Sequence, residues 1–155
     1  MQKAKTSDIP SIVKIHRYCV SEVNSRFYSP AIITEWLKDI SKEDVLSQFR
    51  KSSWIIAKTK KGQTIGFGQY SLKTGEIFQI NVLPLYQKQG FGKALYQRML
   101  DDFKRKKVKA ISLDSTLNAI SFYQKLGFVA IEKIKYSIGS QAMEMMKMKV
   151  VLAGF

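Results

Sequence analysis

The residues of this chain best arranged to do chemistry are Gln87-Lys88-Gln89-Gly90-Phe91-Gly92-Lys93. They follow an apolar, strand-like run from Ile77 to Leu83 and open a helical pattern running toward Lys107. Glycine lets backbone approach a ligand closely. The first turn of a helix carries N–H groups with no intrahelical partner, at the positive end of its dipole. Strand, glycine turn and helix start together make an anion site suited to a phosphate-bearing cofactor. The same pattern also occurs where glycine only permits tight packing of helix on strand. Two other phosphate loops fit poorly. A dinucleotide fingerprint needs a third glycine where this chain has Leu95, and a Walker A loop needs Ser or Thr where Gly92-Lys93 is followed by Ala94.

A second segment narrows the reading. Ile111-Ser112-Leu113-Asp114 has the pattern of a strand, and it runs into Ser115 to Phe128, which contains Phe122-Tyr123 and then Leu126-Gly127-Phe128. Gln-x-x-Gly-x-Gly after a strand ending in Val82 resembles the acetyl-CoA pyrophosphate loop of the GNAT superfamily of N-acetyltransferases. Phe122-Tyr123 with Leu126-Gly127-Phe128 resembles that family's second motif. The likeness is strong from Glu76 to Phe128 and looser elsewhere.

The resemblance implies an α/β fold of the GNAT acyl-CoA N-acyltransferase type. In it a mixed central sheet has splayed fourth and fifth strands, with helices on its flanks. It also implies acetyl-CoA as co-substrate, lying in the V-shaped opening, and a primary amine as acceptor, from a small molecule or a protein, in direct transfer within a ternary complex. Tyr123 matches the family tyrosine that points at the cofactor sulfur. A phenol with a pKa of about 10 stays protonated at neutral pH and can donate to a departing thiolate; its other reading is a packing aromatic. Glu76, six residues before Val82, stands where some members carry a strand glutamate that deprotonates the amine through water. Its other reading is a surface residue after Gly75. Strict alternation puts Glu76, Phe78, Ile80 and Val82 on one face.

By the same resemblance Ile80 and Val82 offer backbone groups to pantetheine, and Gln87, Lys88, Gln89, Gly90, Phe91, Gly92 and Lys93 wrap the pyrophosphate, mostly with main-chain N–H. Many members place asparagine seven residues before the tyrosine; here that residue is Thr116, with Asn118 nearby. Asn118 is therefore a candidate cofactor contact, or alternatively a helix cap. The acceptor side falls to the N-terminal helices and the final hairpin, with His16, Tyr28 and Trp36 as candidate lining residues.

The elements that must position these groups are readable in outline. Gln2 to Lys5 reads as a short strand. Ser7 or Asp8 can cap a helix carrying Ile12, Ile15 and Cys19, with Pro10 in its first turn. Ser29-Pro30 starts a second helix, and Ser41-Lys42-Glu43-Asp44 precedes a third. Trp54–Lys58, Thr64–Leu72 and Glu76–Leu83 read as an antiparallel meander. Phe91, Leu95, Met99 and Phe103 recur every four residues, the stripe of a buried helix. The strand at Lys109–Leu113, reached by that helix, is expected parallel to its predecessor. A short helix over Leu117–Leu126 ends at Gly127. Phe128–Ser137 and Ala142–Val150 read as a closing hairpin.

Composition bounds the rest. At 155 residues and 45% apolar, residues 1–155 are expected to form a single domain with a real core. No run reaches membrane-spanning length, and no signal-peptide pattern opens the chain, so the expected address is cytoplasmic, as monomer or homodimer. One cysteine, Cys19, and one histidine, His16, leave no basis for a disulfide or a zinc cluster, so no metal is expected. The 26 basic residues against 12 acidic, a formal +14, favour anionic partners. They are scattered and accompany no nucleic-acid motif, so a nucleic-acid role is disfavoured. Two other classes stay open beside an enzyme: a CoA-binding regulator without catalysis, and a basic RNA- or ribosome-associated module.

Overall fold

The computed structural model describes residues 1–152. Seven strands form one mixed sheet: β1 (Gln2–Lys3), β2 (Ser53–Lys58), β3 (Thr64–Ser71), β4 (Glu76–Val82), β5 (Ala110–Ser115), β6 (Val129–Ile138) and β7 (Gln141–Val151), in the spatial order β1-β2-β3-β4-β5-β7-β6. Short turns make β2, β3 and β4 the expected antiparallel meander. The helical crossover α4 (Phe91–Arg105) brings β5 back parallel to β4. The β6–β7 hairpin then inserts β7 beside β5 and leaves β6 at the edge.

Alternation along β2 distributes two cores. Ile55 and Ala57 meet α4 through Leu95, Met99 and Phe103, while Trp54 and Ile56 meet α1 (Ile9–Glu22) and α3 (Lys42–Phe49) on the opposite face through Ile12, Ile15 and Val45. A third cluster packs α2 (Pro30–Lys38) through Ile33 against Met143 of β7. Ser29 and Ser41 cap α2 and α3, accepting from the N–H groups of Ile32 (3.3 Å) and Asp44 (3.2 Å). The start of α1 differs from expectation. Residues Thr6–Asp8 form a 3-10 turn, and the Asp8 carboxylate accepts from the Lys5 N–H (2.8 Å) instead of capping α1. Among the described residues no helix is long and apolar enough to cross a membrane.

Two features of β4 decide the shape of the sheet around it. First, β4 and β5 pair only at Glu76–Ser112 and Ile77–Leu113. Beyond Ile77 the two strands part, β5 staying with β7 through Ser115; this is the expected splay. Second, Gln69 faces Gln79 while Tyr70 faces Ile77, so Phe78 is an extra, bulged residue. The bulge reverses the alternation and corrects the single face expected for Glu76, Phe78, Ile80 and Val82. Ile77, Ile80 and Val82 pack on the α4 side. Glu76 falls on the other face, with Gln79 and Asn81.

Candidate active site

The gap left by the splay is a cavity of about 300 Å³. Its β4 wall can be worked out from the ladder. The Leu83 N–H donates to the Ile65 carbonyl (2.9 Å), and the register sets Val82 opposite Gly66 and Ile80 opposite Gly68. Bonded and non-bonded pairs alternate in an antiparallel ladder. Gln79 and Asn81 therefore turn their main-chain groups toward β3, and Ile80 and Val82 turn theirs into the gap. The Val82 carbonyl is already engaged, accepting from Gln87 Nε2 (2.9 Å) and from the Cys19 thiol (3.4 Å). The N–H and C=O of Ile80 and the N–H of Val82 remain for a guest. A ligand arm built from amides, such as pantetheine, suits that row.

At one end of the gap lies the glycine turn. Lys88 (φ 62°) and Gly90 (φ 88°) are left-handed, so successive N–H groups turn inward as in an anion nest. Among the described residues no side chain caps α4. Its first intrahelical bond runs from the Ala94 N–H to the Gly90 carbonyl (2.9 Å), which leaves the N–H groups of Phe91, Gly92 and Lys93 without helical partners. The two glycines act differently. A Cβ on Gly90 would meet nothing within 4 Å, so glycine is needed there for conformation; one on Gly92 would lie 3.2 Å from the Phe122 ring, so glycine is needed there for packing. Gln87 and Gln89 turn their amides back onto the Val82 and Leu85 carbonyls and brace the turn from within. Lys88 and Lys93 are exposed cations beside it.

Tyr123 stands on the short helix α5 (Ile120–Lys125) and borders the same cavity. Its ring is wedged edge-on between Phe122 and Phe128, with centroids 5.1 and 5.6 Å away. Among the described residues no group hydrogen-bonds its hydroxyl. Burial raises its pKa well above the ordinary phenol value, so it is a neutral donor. Asn118 borders the cavity too. It is not a helix cap: its Oδ1 accepts from Asn24 Nδ2 (2.8 Å), tying this turn to the end of α1.

The opposite wall carries His16 and Trp36, whose rings meet edge-on at 6.5 Å, together with Phe78, Gln79 and Asn81. Burial, and secondarily the charge of Arg17, lower the pKa of His16 to about 4, so its imidazole is neutral at physiological pH. Tyr28 does not line the cleft; it donates to the Glu144 carbonyl (2.6 Å) and accepts from the Leu117 N–H (3.0 Å), locking β7 to the turn before α5. Cys19 is buried, and burial pushes its thiol up to about 12. Glu76 lies outside the cleft, in an adjoining recess of about 320 Å³ with Asp114 and Tyr136. Asp114 borders both spaces. The Tyr136 hydroxyl donates to the Asp114 carboxylate, which raises Tyr136 to about 12 with help from burial and from the charges of Asp114 and Glu76. Gln79 and Asn81 were not picked out from the sequence. The signal was two amides interrupting the apolar run from Ile77 to Leu83.

Comparison with known proteins agrees with this geometry. The family model for the acetyltransferase (GNAT) domain matches residues 24–149. The curated [ribosomal protein bS18]-alanine N-acetyltransferase of Escherichia coli strain K12 is 35% identical over 75 residues, 45% of this chain and 51% of the relative, so this chain spans about half the length of that relative. A GCN5-related N-acetyltransferase structure from Rhodopseudomonas palustris superposes with a TM-score of 0.90 at 19% identity, covering 97% of this chain and 94% of the other. PaiA N-acetyltransferase from Thermoplasma acidophilum, solved in complex with coenzyme A, gives 0.79 at 21% identity, covering 97% of each chain. A splayed sheet, an uncapped helix start facing its gap and a match over most of the chain lead to one conclusion: the protein belongs to the GNAT acetyltransferases, acyltransferases that depend on acetyl-CoA.

Proposed function

We propose that this protein transfers the acetyl group of acetyl-CoA to a primary amine by direct attack in a ternary complex. The pyrophosphate would rest on the main-chain N–H groups from Lys88 to Lys93. The pantetheine amides would pair with Ile80 and Val82. The acceptor would enter from the His16–Trp36 side. Its nitrogen attacks the thioester carbonyl, the C–S bond breaks, and the departing thiolate takes the proton of Tyr123 Oη. The proton lost by the amine passes through water to the carboxylates of Asp114 and Glu76. With Glu76 in the adjoining recess, its part as base is indirect. Asn118, held by Asn24, borders the cofactor side through its remaining amide donors. A covalent acyl-cysteine route is disfavoured, because the Cys19 thiol is buried, held far from ionisation and already donating to Val82.

The observation that carries this reading is Tyr123, whose ring is buried and whose protonated hydroxyl has no hydrogen-bond partner among the described residues, beside the gap. As first acceptor, the similarity to an alanine N-acetyltransferase favours the α-amine of an alanine-initiated peptide, with alaninamide as its minimal form. The test is thiol release from acetyl-CoA over an amine panel containing both, for wild type and Tyr123→Phe. We expect turnover that falls about 10²–10⁴-fold in the variant while coenzyme A affinity stays within about twofold. Binding of coenzyme A without thiol release from any amine would instead identify a non-catalytic CoA-binding protein.

A further inference from the structure

A chain of carboxamides runs under the α1–α3 face of the sheet into the cleft. Asn81 Nδ2 donates to Gln79 Oε1 (2.9 Å), and Gln79 Nε2 donates to Gln69 Oε1 (2.9 Å). Gln69 Nε2 donates to Gln48 Oε1 (2.9 Å) and to Ser52 Oγ (3.0 Å). Gln69 is 4% exposed, so its partners are obligatory. A carboxamide can be turned end for end with little change of shape, so such a chain could in principle run either way. One hydroxyl favours the observed direction. Ser52 has a single proton, and its acceptor outside the chain of carboxamides is the Gln48 main-chain carbonyl (3.0 Å), which also accepts from the Lys51 N–H and Trp54 Nε1. With its proton there, Ser52 accepts from Gln69. Gln69 then presents its NH₂ to Ser52 and its oxygen to Gln79. The same reasoning passes along the strand until Asn81 presents its NH₂ to Gln79. The Asn81 oxygen is left over, on a residue that borders the cavity, with no partner among the described residues.

We infer that this relay, anchored at Ser52, sets the acceptor specificity of the cleft by holding the Asn81 carboxamide oxygen, and not its amino group, toward the incoming nucleophile. The inference rests on the acetyl-transfer reading. The Phe78 bulge makes it possible, because it moves Gln79 and Asn81 off the α4 face that Ile77 packs on and onto the opposite face, where Gln69 lies. An oxygen there receives an N–H of the amine and aims its lone pair away from Asn81, toward the gap. It favours nucleophiles that bring a donor hydrogen to that oxygen. Asn81 is the contact; Gln79, Gln69 and Ser52 are positioning residues.

The test has a binding arm and a kinetic arm. In the first, the side-chain amide signals in ¹H–¹⁵N spectra of the coenzyme A-bound protein are followed as alaninamide is titrated, for wild type and Ser52→Ala. The Asn81 signal should move on titration. It should also already be displaced or doubled in Ser52→Ala, although Ser52 stands at the far end of the chain. An Asn81 signal indifferent to Ser52→Ala overturns the relay, and one indifferent to alaninamide overturns the contact. In the second arm, Asn81→Leu should raise the KM for alaninamide about five- to tenfold, the value of one hydrogen bond, with the KM for acetyl-CoA within about twofold. Asn81→Asp, which keeps an oxygen at the site but loses the donor to Gln79 Oε1, should fall between wild type and Asn81→Leu. Ser52→Ala, which equalises the two orientations and halves the competent population, should about double the amine KM. An unchanged amine KM in Asn81→Leu overturns the inference. Failure of wild type to acetylate any amine would sink the acetyl-transfer reading instead, and the spectra would still decide the relay.

Discussion

Replacing Gly90 separates conformation from bulk. At φ 88° an alanine pays about 1–2 kcal/mol for the left-handed backbone, while its Cβ meets nothing within 4 Å. If the turn keeps its shape, the whole penalty falls on folding. With an unfolding entropy of about 2.1 cal/mol/K per residue, 155 residues give about 0.33 kcal/mol/K, so Gly90→Ala should lower Tm by about 3–6 °C. If the free turn relaxes, the penalty falls on binding, and coenzyme A affinity drops about 5–30-fold at nearly constant Tm. The two losses share one source, so they should trade against each other. Asparagine is larger than alanine yet tolerates the left-handed region better. Gly90→Asn should therefore be the milder variant in the summed loss. Differential scanning calorimetry and titration calorimetry with coenzyme A measure the two parts. An asparagine variant worse than alanine in thermal stability, or an alanine variant unchanged in both measurements, would refute the conformational argument.

Three further outcomes are expected. His16 has a pKa lowered from 6.5 to about 4, so the unfolded chain binds its proton first: the stabilisation is complete above pH 6.5 and is lost as pH falls from there toward 4, by up to about 3 kcal/mol. Urea unfolding at pH 7 and pH 5 should show this slope in wild type and a flatter one in His16→Gln; parallel slopes would remove His16 as its source. Tyr28→Phe strips a partner from the Glu144 carbonyl and from the Leu117 N–H and should cost about 1–3 kcal/mol in the same assay. Gly92→Ala, with its Cβ 3.2 Å from the Phe122 ring, should displace α5 and cut kcat more than it weakens coenzyme A binding, whereas the smaller Phe122→Leu in the same chain should restore part of the loss.

Local chemistry was the readable part. Gly90 and Gly92 sit within a few residues of the helix start that uses them, and the stripe Phe91, Leu95, Met99 and Phe103 reports the face α4 buries. The closing hairpin shifts by only a residue at each end: Val129–Ile138 and Gln141–Val151 against the expected Phe128–Ser137 and Ala142–Val150. What escaped was set by pairing between distant segments. The Phe78 bulge is a property of the β3–β4 register, and no change in composition marks it, so the face of Glu76 came out wrong. Asn118 meets Asn24 across 94 positions, and nothing near either residue announces the contact. Asp8 looks like a helix cap by type and place, yet the turn at Thr6–Asp8 claims its carboxylate first. The carboxamides of the relay belong to α3, β3 and β4, and only the folded sheet sets them in line.

The meeting of β4 and β5 at just Glu76–Ser112 and Ile77–Leu113 has a mechanical side. It divides the sheet into a four-stranded leaf and a three-stranded leaf, joined along a short spine and bridged by α4. A molecule lodged between the leaves bonds to the inner margin of one and rests against the other, so it serves as binding thread as well as cargo. With that space empty, the leaves are held by the core they share, where Ile111, Leu113 and Met148 join Ile55, Ile77 and Phe103. Amide exchange at Ile80 and Val82, on the exposed margin, should slow far more when coenzyme A is added than exchange at Ile56 or Phe67, which lie deep within one leaf.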